Sequence, residues 1–95
     1  MPETDKLRLE YKIGDIEVKV INSQIRKNET QIWFLQNSIA RWIPYEDIIR
    51  KEEQAPSVAY SLLKKSGYNM PSQEQDFTSE FQYILDRLKE RVVPK

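Results

Sequence analysis

Residues 7–20 carry two independent constraints that agree with each other. The apolar residues Leu7, Leu9, Tyr11 and Ile13 alternate with Arg8, Glu10 and Lys12, the period of two that marks a half-buried strand. Gly14-Asp15 follows and reads as a two-residue turn, glycine being free to take the positive φ that tight hairpin turns need. Folding about it sets Ile13 against Ile16, Tyr11 against Val18 and Leu9 against Val20 on one face. On the other face Lys12 meets Glu17 and Glu10 meets Lys19, opposite-charge pairs worth roughly 0.2–1 kcal/mol each. A slip of one residue would lose both patterns, so the segment specifies a β-hairpin together with its register.

A polar run over residues 26–30 reads as a loop, and residues 31–44 then concentrate two tryptophans and a phenylalanine. With Asn37-Ser38 as a second turn, Trp33 falls opposite Trp42, Leu35 opposite Ala40, Ile32 opposite Ile43 and Phe34 opposite Arg41. Pro44 ends the strand, because it cannot donate to the ladder. Unlike the first hairpin, this one is apolar on both faces, so it has to be covered twice. Trp33, Leu35, Ala40 and Trp42 are assigned to the core on their bulk. The face of Ile32, Phe34, Arg41 and Ile43, with Tyr45 close behind, is left as the partner-binding surface.

Beyond Pro44 the spacing becomes helical. Residues 44–54 have room for a short turn of helix. Residues 56–67 predict an amphipathic helix with Val58, Ala59, Leu62 and Leu63 on one stripe, Pro56 at its start and Gly67 where a left-handed C-cap belongs. Residues 72–92 predict a longer one. Ser72 and Gln75 are spaced as a capping box, and Phe77, Phe81, Ile84, Leu85, Leu88 and Val92 recur at intervals of three and four. Its first turns are acidic, and Arg87, Lys89 and Arg91 near its end complement the macrodipole. The expected architecture is α+β in one domain over residues 1–95. Two antiparallel β-hairpins within residues 1–44 form a small curved sheet or partial barrel, and residues 45–95 supply a short helix and a long C-terminal amphipathic helix.

Composition narrows the function. Fifteen basic residues balance fifteen acidic ones, so no global field draws the chain to nucleic acid or to an anionic membrane. The absence of cysteine and histidine removes thiolate chemistry, the Ser-His-Asp arrangement and the commonest soft-metal ligands. The acidic neighbours Glu46-Asp47 and Glu52-Glu53 point apart on a helix, and no Asp/Asn ligand loop for a hard cation occurs. The expectation is a chain without enzymatic activity, cofactor or resident metal. No apolar run spans a bilayer and the first ten residues lack the apolar centre of a signal peptide, so a cytoplasmic protein without membrane contact is expected.

Residues 29–48 resemble a hairpin segment of small phage and archaeal proteins that ends in Trp-Ile-Pro-x-Ser-x-Ile. Trp42, Ile43, Pro44 and Ile48 match it, and Glu46 stands at the serine position. The resemblance implies a small sheet domain and an accessory role in a viral or archaeal replication complex, and it carries no catalytic residues. Three functional readings follow. The first is an adaptor that docks on a larger nucleic-acid-handling assembly through an aromatic sheet face. The second is direct binding of single-stranded nucleic acid, with Arg26, Lys27, Lys64 and Lys65 as phosphate contacts. The third is a homodimer built on the wide apolar stripe of the long helix.

Overall fold

The computed structural model describes residues 8–23 and 29–91; Leu7, Arg26, Lys27 and Val92 lie outside the described residues. The chain folds as α+β in the order β1 (Arg8–Ile13), β2 (Ile16–Ser23), β3 (Glu29–Gln36), β4 (Ile39–Pro44), α1 (Tyr45–Arg50), a 3-10 turn (Glu52–Gln54), α2 (Ala55–Lys65) and α3 (Glu74–Arg91). The four strands form one antiparallel sheet in chain order, which is open and not a closed barrel, with β1 and β4 at its edges.

Both hairpins take the register that their side-chain patterns require. Ile13 pairs with Ile16, Tyr11 with Val18 and Leu9 with Val20, while Lys12 faces Glu17 and Glu10 faces Lys19. In the second hairpin Trp33 pairs with Trp42, Phe34 with Arg41 and Leu35 with Ala40. Each turn takes its first residue into positive φ, Gly14 at 58° and Asn37 at 53°, and asparagine is the residue other than glycine that does so at least cost.

The connection between β2 and β3 decides which face of the second hairpin becomes core. Val18 pairs with Phe34 and Val20 with Ile32, so the apolar face of the first hairpin continues onto Ile32 and Phe34. All the described helices lie on that face. Ile13, Ile16, Val18, Val20, Ile32 and Phe34 are 1 % exposed or less. They pack with Phe77, Phe81 and Leu88 of α3 and with Tyr45 and Ile48 of α1. The Phe34 ring lies 5.6 Å from that of Phe81. The sequence-based assignment of the two faces is therefore reversed. Ile32, Phe34 and Tyr45 are core, and Trp33, Leu35, Ala40 and Trp42 form the outer face, because a one-residue change of register exchanges the faces of a strand.

The helices follow their patterns with one rotation. In α3, Phe77, Phe81, Ile84, Leu85 and Leu88 are all buried, which leaves the described part of the stripe no apolar area for a second subunit. In α2 the buried residues are Pro56 and, at a spacing of four, Ala55, Ala59 and Leu63, and Val58, expected on the inner stripe, is 37 % exposed. The reason is that Tyr60 packs on Phe77 at 5.7 Å, which turns the helix toward α3 and carries Val58 outward. Gly67, at φ 92°, closes α2 in a Schellman motif. Its amide donates to the Lys64 carbonyl and that of Tyr68 to the Leu63 carbonyl.

The α2–α3 connection is fastened to β3 at two points. The Tyr68 hydroxyl donates to the Phe34 carbonyl at 2.7 Å. The Gln36 side chain donates to the Asn69 carbonyl at 3.0 Å and accepts from the Asn69 amide at 2.6 Å, which satisfies both ends of a buried amide.

In urea, Phe34→Ala should lower stability by about 3–5 kcal/mol, the range for truncating a core aromatic. Trp33→Ala, which removes a half-buried ring and one aromatic pair, should cost about 1–2 kcal/mol. Equal losses would contradict this assignment of the faces.

Candidate docking face

The residues singled out from sequence fall in three places. Ile32, Phe34 and Tyr45 are sealed in the core, and Ile43 is half-buried against it. Arg41 is exposed at the β4 edge beside Tyr68. Lys64 and Lys65 are exposed on the last turn of α2, where the Lys64 ammonium lies 5.9 Å over the Tyr60 ring. Those lysines belong to the helical layer, the opposite side of the sheet from the tryptophans. The structure therefore does not bring Lys64 and Lys65 together with an aromatic sheet face; Arg26 and Lys27, the other two proposed phosphate contacts, lie outside the described residues.

The outer face of the sheet divides into two halves. On β3 and β4 it presents Trp33, Leu35, Ala40 and Trp42. A two-residue loop makes Gln36 and Ile39 a hydrogen-bonded pair, and alternation then makes Trp33 and Trp42 a non-hydrogen-bonded pair, the kind in which side chains come closest. Their rings stack at 6.1 Å between centroids and 24° between planes. At that separation nothing can slide between them. Both rings are half-buried.

One hydrogen-bond chain runs along β3 on this face. The Trp33 indole Nε1–H donates to Gln31 Oε1 at 3.0 Å, and Gln31 Nε2–H donates to Glu29 Oε1 at 3.3 Å. Gln31 is 4 % exposed, and both of its polar atoms are engaged. Sequence reading passed over Gln31. The signal was present: it lies two residues from Trp33 on the same strand face, and a shielded indole N–H needs an acceptor.

The β1–β2 half of the face carries charges of both signs. Arg8, Lys12 and Lys19 accompany Glu10 and Glu17, three positive groups against two negative. Lys19 stands directly across from Trp33, and Glu17 across from Leu35. Among the described residues no group of three or more acidic, histidine or cysteine side chains is placed to hold a metal, and no helix is long and apolar enough to cross a membrane. No family model, curated protein or solved structure matches the chain.

The perturbed ionisations belong to the covered face. Burial pushes the phenols of Tyr45 and Tyr68 above their ordinary 10.0, with the Arg41 charge and backbone amide pulling Tyr68 partly back. The unfolded chain gives up these protons near 10.0 and the folded chain only higher. Stability is therefore full below that pH and declines as pH rises above it. Tyr68→Phe should cost about 1 kcal/mol at neutral pH, through loss of the bond to the Phe34 carbonyl, and should flatten part of the alkaline decline. Urea midpoints measured at neutral pH and above pH 10.0 check both parts; an alkaline decline of unchanged steepness in Tyr68→Phe would count against its burial as the cause.

Proposed function

We propose that this chain is a non-enzymatic docking module whose Trp33, Leu35, Ala40 and Trp42 face seats an apolar surface of a larger protein, in an assembly that handles nucleic acid. The observation that carries the reading is the stacked Trp33–Trp42 pair, half-buried on the sheet face that the described helices do not cover. Large aromatic side chains in such positions dominate the energetics of protein interfaces. The charges of both signs beside them, three positive and two negative, call for a partner without strong net charge there. The reading sets the protein in the cytoplasm. Its link to nucleic-acid machinery draws on the resemblance of residues 29–48 to hairpins of small phage and archaeal proteins.

Direct binding of single-stranded nucleic acid is the second reading, favoured by Lys19 standing opposite Trp33, a cation beside a stacking surface. Against it stand Glu10 and Glu17 on the same face, which offset the phosphate attraction that such binding needs.

Two experiments separate these readings. A photo-crosslinking residue at position 35, introduced in the source cell, should yield a discrete protein adduct. One at position 58 on the helical layer should not yield it, and Trp33→Ser should abolish it. A fluorescein-labelled thymidine oligonucleotide should show no anisotropy change at low salt. Binding that falls steeply with added salt and is lost in Trp33→Ser would transfer the face to nucleic acid.

A further inference from the structure

Gln31 is a polar side chain buried to 4 % exposure on the face that carries the proposed docking surface. A buried amide is costly unless both of its ends are paired. Here the pairing runs in one direction along the strand, from the Trp33 indole to Gln31 Oε1 and from Gln31 Nε2 to the Glu29 carboxylate. The three residues lie at alternate positions of β3, so their side chains stand in a row on one face. The row has two effects on Trp33. It directs the N–H edge of the ring toward the Glu29 end of the strand, leaving the flat of the ring against Trp42. It also occupies the one hydrogen-bond donor that the indole has.

We infer that Gln31 is a positioning residue for the tryptophan pair: it fixes the Trp33 ring before any partner arrives and withholds its N–H, so that the face accepts uncharged aliphatic or aromatic surfaces and not hydrogen-bond acceptors such as phosphate. The inference rests on the docking reading for its purpose and on the protein alone for its test. A ring held in advance spares the partner the ordering of that side chain. A donor already engaged gives an acceptor nothing to bind.

The test is spectroscopic. In the wild-type protein the Trp33 indole proton should exchange about tenfold more slowly than that of free tryptophan, the protection one hydrogen bond gives, and the stacked indoles should give an exciton couplet in the far-ultraviolet circular dichroism. Gln31→Leu should bring the exchange close to the free value and reduce the couplet by about half or more, with the backbone amides of β3 and β4 still protected. The exchange Gln31→Glu with Glu29→Gln, which keeps an acceptor oxygen for the indole and gives the new carboxylate an amide donor in place of a like charge, should retain both signals. Inorganic phosphate should leave the wild-type Trp33 indole resonance unmoved. An unprotected wild-type indole, a couplet unchanged in Gln31→Leu, or a saturable phosphate shift in the wild type would each overturn the inference while leaving the docking reading intact. If Gln31→Leu fails to fold, the wild-type exchange rate and the Gln31→Glu, Glu29→Gln double variant still decide it. Loss of the crosslink expected at position 35, with couplet and exchange as predicted, would remove the docking reading and leave Gln31 in its positioning role.

Discussion

The packing of Phe34 between β2 and α3 determines how the rest of the molecule is arranged. Its ring is enclosed beside Val18 and lies 5.6 Å from Phe81, and its carbonyl receives the Tyr68 hydroxyl. Once that side chain points inward, strand alternation leaves no further choice on β3. Ile32 and Gln36 follow it inward, while Gln31, Trp33 and Leu35 turn outward. Cross-strand pairing passes the decision to β4, where Ile39 and Ile43 join the covered side and Ala40 and Trp42 the other. The smallest dimension of the fold is 17 Å, room for one sheet and one layer of helices. One face of a two-faced ribbon is therefore left outside that layer by construction.

The residues on the outer face suit that position. A tryptophan pair at a non-hydrogen-bonded site shields much of its own area through stacking. The chain from Trp33 through Gln31 to Glu29 gives the indole donor a partner without any helix above it. Beside the pair, alternating acids and bases on β1 and β2 keep that half of the sheet wetted, and charges along the β1 edge discourage unspecific strand pairing. Apolar and charged halves thus lie side by side on one sheet face.

Much of this was legible in the sequence, and the part that was not has a definite physical origin. Both hairpin registers could be read because a two-residue turn ties position to position: Gly14-Asp15 fixes Tyr11 against Val18, and Asn37-Ser38 fixes Trp33 against Trp42. No such rule governs the longer connection from β2 to β3. Whether Val18 met Trp33 or Phe34 was undetermined, and that one step decides which face is core. Bulk argued for the tryptophans inside, whereas the core has its aromatic volume from Phe34, Phe77, Phe81 and Tyr45. In α2 the spacing identified a helix but not its rotation, since Val58 and Ala59 lie on adjacent faces and only the contact of Tyr60 with Phe77 selects between them. Gln31 went unnoticed because a single glutamine in a strand shows its importance only through what it touches.

The paired hydrogen bonds between Gln36 and the Asn69 backbone reach further than their two distances suggest. A side-chain amide that both donates to the carbonyl and accepts from the N–H of one residue copies the pairing of a neighbouring strand, so the sheet in effect gains a rung inside the link between α2 and α3. That link is consequently no hinge. Swinging α3 away from the sheet would require breaking this rung and the Tyr68 tether beside it, and both end on β3, the strand that carries Trp33. The sheet and the helical layer are thus joined by directed bonds at the strand behind the tryptophans as well as by the apolar core.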